Sequence, residues 1–262
     1  MTCVTSLTVL GIPVTEEQVA RWLGYYCPGP QPFRTRDLTQ DQALSIPMTE
    51  ALEITDEVRD TFFMYGGGPW TWLSEDQYAD LQPEVRALLS AERRHRMRPK
   101  PAPAWPSDPM LTAKLVRWME AGGRPSLHVL ARSELQRASA GRLPRAAQLA
   151  GTFPTKSGPN CFGTVMAATG LPVDDDWIQL DQFQTWLEAA TTPEHRAHDE
   201  GGQVLVWHQH GDLAHAAVTL PGGWALQKPS QSWSSPIGVW TTDEIISSWR
   251  LPSIRLSRYQ LW

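Results

Sequence analysis

The chain has 262 residues, of which 41% are hydrophobic, and this is enough to bury the core of one large domain or two smaller ones. Lysine and arginine total 23 against 28 acidic residues, and the net charge of −5 argues against a nucleic-acid partner or an anionic membrane surface. No stretch approaches the roughly 18 apolar residues of a membrane span, and the first residues lack the basic start of a signal peptide. We therefore expect a folded, soluble protein that binds neither nucleic acid nor membrane.

The three cysteines, Cys3, Cys27 and Cys161, are odd in number and lie far apart in the chain. This pattern does not suggest a disulfide framework. Together with the missing signal peptide, it predicts free thiols and a cytoplasmic location.

The predicted elements of residues 1–148 are mainly helices. Thr15 with Gln18 and Ser74 with Gln77 form the sequence pattern of a capping box, which marks a helix start. Further helices are expected in "PEVRALLSAERRHR" and in "LTAKLVRWMEAGG", whose two glycines end it. A proline-rich connector near 97–110 separates these two helices. The sequence does not say what this region recognises, and a protein partner remains open for it.

Residues 149–262 are predicted to form a second domain of different character. Helical segments around Cys161 and in "DQFQTWLEAATT" precede three candidate strands, "QVLVWHQ", "LAHAAVTL" and "GWALQKP". A capping box at Thr241 and Glu244 opens a last helix, and the alternating segment "SIRLSRYQLW" predicts a closing strand. Helices followed by antiparallel strands are typical of the α+β class.

Cys161 is the strongest candidate for a chemical role. It follows "SGPN", which cannot be helical, and precedes the helix-forming run "FGTVMAATG". A sulfur in the first turn of a helix lies near unpaired backbone N–H groups, which stabilise a thiolate and can bind an oxyanion. The alternative is that Cys161 is a small buried hydrophobic residue.

His215 and Gln227 are the expected partners of this thiol. His215 begins a strand, and the turn at 221–223 returns the chain antiparallel, which brings Gln227 close to His215. A neutral amide there would fix the imidazole tautomer and aim the other ring nitrogen at the sulfur. Because Gln227 and Lys228 face opposite sides of a strand, only one of them can meet the imidazole. Gln227 is preferred, since a lysine would oppose a charged imidazole, and Lys228 remains the alternative.

The segments "AGTFPTKSGPNCFGTV", "EGGQVLVW" and "HAAVTLPGGWALQ" resemble the core of the NlpC-type papain-like cysteine peptidases and amidases. The resemblance covers roughly 149–255 and implies a papain-like domain in which Cys161 is the nucleophile, His215 the general base and acid, and Gln227 the orienting residue. The family commonly has aspartate and serine around the cysteine, where this chain has Asn160 and Phe162, and often has histidine where this chain has Gln227.

These residues predict a cysteine-dependent hydrolase or acyl transferase that acts on an amide or ester through a thioester intermediate. The substrate would be a peptide or a small molecule, and the choice between hydrolysis and transfer stays open. Asn160, Trp224 and Lys228 are assigned to oxyanion or substrate binding. The chemistry requires no cofactor and no metal.

Two other functions are considered. The segment "HQHGDLAH", with His208, His210, Asp212 and His215, resembles a zinc-hydrolase signature, but the directly adjacent aspartate and histidine of that signature are missing, as are downstream ligands. A papain-like domain can also serve as a binding module without catalysis. The retained cysteine and histidine favour the enzyme.

Overall fold

The structure, a computed structural model, describes residues 7–49 and 52–262, so Cys3 lies outside the described residues. Contacts divide the chain into two compact units, Met1–Arg124 and Pro125–Trp262. The division falls before the predicted boundary at 148 and 149 because residues 125–148 pack against the second unit's sheet. The Leu127 N–H donates to the Val239 carbonyl at 2.8 Å, and Leu135 and Leu143 lie in the core of that unit.

The first unit combines helices with two short antiparallel strand pairs, the β1–β2 hairpin and the pair β3–β4, whose strands are separated in the chain by two helices. Its elements are β1 (Thr8–Val9), β2 (Ile12–Pro13), α1 (Glu16–Tyr26), β3 (Gln31–Arg34), α2 (Gln40–Leu44), α3 (Asp56–Phe62), β4 (Trp70–Leu73), α4 (Glu75–Ala79), α5 (Pro83–Arg96) and α6 (Leu111–Glu120). The capping boxes predicted at Thr15 and Ser74 are both formed, and they fix the starts of α1 and α4. Residues 97–110 contain neither helix nor strand, as their prolines predict.

A buried arginine organises one core of this unit. Arg93 of α5 is 4% exposed, and its guanidinium donates to the Gln31 side-chain oxygen at 2.8 Å and to the Pro32 carbonyl at 2.7 Å. The same group lies over the Phe33 ring, 3.5 Å from the centroid. Hydrogen bonds and the ring face thus replace part of the water that the charge loses on burial, while the buried Nε makes no hydrogen bond among the described residues.

The second unit is built on one six-stranded antiparallel sheet in the order β5-β10-β6-β7-β8-β9. Its elements are α7 (Arg132–Ser139), α8 (Ala146–Leu149), α9 (Cys161–Ala168), α10 (Leu180–Ala190), β5 (Thr191–Glu194), β6 (Gln203–Gln209), β7 (Asp212–Leu220), β8 (Trp224–Gln227), β9 (Gly238–Thr241), α11 (Thr242–Ser248) and β10 (Ile254–Leu261). The predicted α+β class is confirmed, with the last capping box formed at Thr241. None of the helices among the described residues is both long and apolar enough to cross a membrane.

The two faces of this sheet carry different cores, because alternate residues of a strand point to opposite sides. One core joins Val206 and Ala216 of the central strands to α9, through Phe162 and Val165. The core on the other face contains Leu205, Trp207, Ala217 and Ala225, and α11 contributes Ile245 to it. The face on which a strand residue lies therefore decides which helix it can meet.

Candidate active site

Cys161 is the first residue of α9, as predicted. Gly158 has a φ of 122°, a conformation that favours glycine, and it turns the chain towards the helix. Asn160 is the N-cap: its side-chain oxygen accepts from the Gly163 N–H at 3.0 Å, and its side-chain nitrogen donates to the Ile178 carbonyl at 2.8 Å. Asn160 therefore has a structural role at the helix start, and its amide nitrogen is engaged by Ile178 instead of facing a substrate.

The Cys161 sulfur lies among backbone N–H groups. Burial raises the pKa of the Cys161 thiol to about 11, while hydrogen bonds from the N–H groups of Ala216, Phe162 and Cys161 itself act in the opposite direction. The positive charge of Lys228 also favours the thiolate. The residue as a whole is partly exposed, but its sulfur is turned inward and is nearly fully buried. At neutral pH the resting group is a thiol that becomes anionic only when a base takes its proton.

His215 and Gln227 are brought together as the hairpin predicts. His215 is 2% exposed, and its Nε2 lies 2.6 Å from the Gln227 side-chain oxygen. Because that oxygen only accepts hydrogen bonds, Nε2 carries the proton and Nδ1 keeps a free lone pair. Burial lowers the pKa of His215 to about 4, against the opposing effect of the Gln227 hydrogen bond, so the imidazole is neutral at neutral pH.

Two tryptophans enclose the imidazole, and the sequence analysis did not identify them. The Trp249 ring stacks on it with a centroid distance of 4.4 Å and an angle of 14°, and Trp207 lies at 5.4 Å. Trp207 pairs directly with His215 in the β6–β7 register, a signal that becomes visible only once the two strands are aligned. These rings exclude water from one side of the imidazole.

The sulfur and the imidazole are neighbours along β7 but lie on different faces of the sheet. The sulfur meets the N–H of Ala216, whose side chain packs in the core with α9, whereas His215 packs against Trp207 on the other side. Within residues 7–49 and 52–262, no hydrogen bond joins the sulfur to the imidazole. The predicted meeting of the thiol and the imidazole is therefore not formed among the described residues, although the sulfur contacts the N–H of the residue that follows His215.

Lys228 follows β8 and is fully buried. Its Nζ donates to the carbonyls of Ser230 and Ser232, the second at 2.9 Å. Gln227, not Lys228, makes the hydrogen bond with the imidazole, which is the arrangement the strand alternation favours.

Trp224 is not brought to this site. It lies at the opposite end of β8, pairs with Leu220 and Thr241, and borders the core with α9. It stands three positions before Gln227, which is about 10 Å along a strand. The substrate-binding role assigned to Trp224 therefore has no geometric basis at this end of the sheet.

The histidine-rich segment does not assemble a metal site. His208, His210 and Asp212 surround the β6–β7 turn, while His215 turns inward to Gln227. In the part of the chain that the structure describes, no group of three His, Cys, Asp or Glu side chains lies close enough to hold a metal ion. The bulge at Trp207 and His208 contributes to this separation, because it shifts the register just before the turn.

None of the protein-family models, curated proteins and solved structures with which the chain was compared matches it. The resemblance to the NlpC-type enzymes therefore rests on the motif residues alone.

Proposed function

We propose that the unit Pro125–Trp262 is a cysteine-dependent hydrolase or acyl transferase of papain-like, NlpC-type layout, with Cys161 as nucleophile and His215 as base. One observation carries the proposal: the Cys161 sulfur, at the start of α9, accepts the N–H of the residue that follows His215, while Gln227 holds the far nitrogen of that imidazole. A nucleophile at a helix N-terminus, a base beside it and a group that orients the base are the parts that acyl transfer needs.

The reaction begins from a neutral thiol and a neutral imidazole. As the sulfur attacks the carbonyl carbon, the thiol proton passes to His215 Nδ1 and the carbonyl electrons move to oxygen. The N–H groups at the start of α9 are the donors available to that oxyanion. The tetrahedral intermediate then expels the amine or alcohol, which takes the imidazolium proton and leaves a thioester. Water or an amine then attacks the thioester carbonyl and gives a proton to the imidazole; the C–S bond breaks, the imidazolium returns that proton to the sulfur, and the acid or amide product leaves.

Because the sulfur and the imidazole lie on different faces of the sheet, this route requires the His215 side chain to turn towards the sulfur when substrate binds. The paired residues of β7 and β8 run from Val218 and Leu226 to Leu220 and Trp224, and beyond them the His215–Gln227 hydrogen bond links the two strands. Catalytic hydrogen bonds are often long in a free enzyme and tighten in the complex. We place the carbonyl of the substrate at the start of α9, next to the sulfur, and we assign the protein to the cytoplasm.

The test is covalent labelling followed by mass measurement. The protein is incubated with a panel of acyl amides, acyl esters and a chloromethyl ketone, and the intact mass and the modified residue are determined. We expect one adduct on Cys161, none in Cys161→Ala, and an unchanged adduct in the control Cys27→Ala. Cys27 is the matched control because its thiol already donates to the Leu23 carbonyl, at 3.1 Å.

The pH dependence of acylation adds a second readout. Because His215 acts as a neutral base with a pKa of about 4 and Cys161 starts as a thiol with a pKa of about 11, the rate should rise through about pH 4 and stay level through neutrality. A rate that falls as pH rises between 6 and 8 would contradict this assignment, since it would mean that a charged imidazole is the reactive form.

A papain-like binding module is the second candidate, and a specific observation favours it. His215 is buried against two tryptophan rings and makes no hydrogen bond to the sulfur in the described structure. Such a module would bind its ligand equally well in the Cys161→Ala variant and would give no adduct with any acyl donor. The labelling experiment therefore separates the two functions.

A further inference from the structure

A polar cleft opens beside the β6–β7 turn, and the proposed catalytic function does not use it. Its volume is about 620 Å³, a size typical of pockets that bind small molecules. The two histidines in it come from the segment that resembles a zinc-hydrolase signature. We call it the β10 cleft, and the polar side chains that line it are His208, His210, Ser253, Arg255, Ser257 and Tyr259.

The strand register gathers these side chains on one face of the sheet. His208 of β6 lies directly opposite Arg255 of β10, and Ser257 and Tyr259 follow Arg255 at intervals of two residues. Because alternate residues of a strand share a face, the three β10 side chains point the same way. Tyr259 packs against the core that includes α9, so this is the face that α9 covers. A guanidinium, an imidazole and two hydroxyl groups thus lie on two adjacent strands.

The β10 cleft is basic, although the chain as a whole has a net charge of −5. In the part of the chain that the structure describes, no aspartate or glutamate lines it. Asp212 belongs to the same turn, but its neighbour Leu213 packs in the core with α9, so Asp212 points to the other face. None of the ion pairs within residues 7–49 and 52–262 includes Arg255. A basic cleft without an acid of its own is complementary to an anion.

The donors of the β10 cleft favour phosphate over carboxylate. The Ser253 hydroxyl donates to the Pro252 carbonyl. Within the described ranges, the side chains of Arg255, Ser257 and Tyr259 make no hydrogen bond to the protein, which leaves their donors for a ligand. The planar fork of an arginine binds two oxygens of a phosphate or carboxylate at once. A phosphate group offers a third oxygen, and it can therefore accept from the hydroxyl groups as well.

The two turns that border the β10 cleft share an uncommon backbone conformation. His210 has a φ of 55° and Ser253 a φ of 69°, and they are two of the four non-glycine residues with positive φ within the described ranges. Such conformations cost energy and are concentrated at functional sites. This observation is independent of the charge of the cleft.

We propose that the β10 cleft binds the phosphate group of a small phosphorylated molecule. The Arg255 guanidinium holds two phosphate oxygens, and the hydroxyl groups of Ser257 and Tyr259 donate to the third. His208 and His210 each add an imidazole N–H at the edge of the site. The inference goes beyond the proposed function and does not depend on the reactivity of the Cys161 thiol.

The experiment is isothermal titration calorimetry of the full chain at pH 7 and low salt. The ligands are phenyl phosphate and benzoate, which carry the same ring. We expect one phenyl phosphate per chain, bound more tightly than benzoate. Arg255→Met should weaken its binding about tenfold or more, because it removes charge-assisted hydrogen bonds, and Arg255→Lys should lie between the two. The matched control is Arg258→Met, which removes the same charge from β10 on the other face, opposite Leu205, and should bind like wild type.

Two results would overturn the inference. The first is the absence of saturable phenyl phosphate binding in wild type. The second is an equal loss in Arg255→Met and Arg258→Met, since overall charge would then explain both. Benzoate that binds as tightly as phenyl phosphate would refute the assignment to phosphate. Arg255→Gln replaces the methionine variant if that variant does not fold. Binding is measured without turnover, so Cys161→Ala should bind phenyl phosphate like wild type, and this inference fails or stands separately from the proposed function.

Discussion

The buried imidazole of His215 should make the stability of the protein depend on pH in a defined window. Burial lowers the pKa of His215 from 6.5 to about 4, against the opposing hydrogen bond of Gln227. Between these two values the unfolded chain binds a proton that the folded protein does not bind. The stabilising contribution of neutral His215 to the free energy of unfolding is therefore fully present above about pH 6.5. It is lost as the pH falls towards 4.

The size of the effect follows from the two pKa values. At pH 5, the unfolded imidazole is almost completely protonated and the folded one is mostly neutral, which lowers the free energy of unfolding by about 2 kcal/mol relative to pH 8. Below pH 4 the loss approaches about 3 kcal/mol, the full value of a shift of this size. This is a large part of the stability of an ordinary domain.

The assay is urea unfolding at pH 8 and pH 5, with wild type compared to His215→Gln. The variant cannot titrate at this position, so its change in the free energy of unfolding should be about 2 kcal/mol smaller than that of wild type. Comparing changes within each protein cancels any constant effect of the substitution. His210→Gln removes an exposed imidazole from the neighbouring turn and is the matched control. Identical changes in wild type and His215→Gln would refute the reasoning.

Two other substitutions test how the second unit holds Cys161 and how the first unit holds its core. Asn160→Ala removes the cap of α9 and leaves the buried Ile178 carbonyl without its donor, so chemical denaturation should show a loss of about 2–3 kcal/mol. An unaltered midpoint would mean that the cap contributes nothing. Arg93→Met leaves two buried oxygens without donors and should cost about 3 kcal/mol, while Arg93→Lys should recover part of this. If the methionine variant is as stable as wild type, the buried guanidinium is not structurally required.

Local sequence signals predicted much of the second unit. Residues 203–209 form β6 over the predicted span, and the turn at 221–223 folds Gln227 back to His215 as expected. These features depend on neighbours in the chain: apolar character, turn residues and the period-two alternation of a strand. The boundary between the units was harder to predict, because Leu127 and Val239 meet only after the chain folds.

The candidate site separates what the sequence alone determined from what only the tertiary structure decided. The sequence determined that Cys161 begins a helix, that His215 and Gln227 share a hairpin, and that Lys228 faces away from Gln227, because caps, turns and alternation act over a few residues. The tertiary structure decided which face of the sheet α9 covers. That choice put the sulfur against the Ala216 N–H and left the imidazole among tryptophans on the other face, since packing across more than fifty residues depends on complementary surfaces that no local pattern specifies.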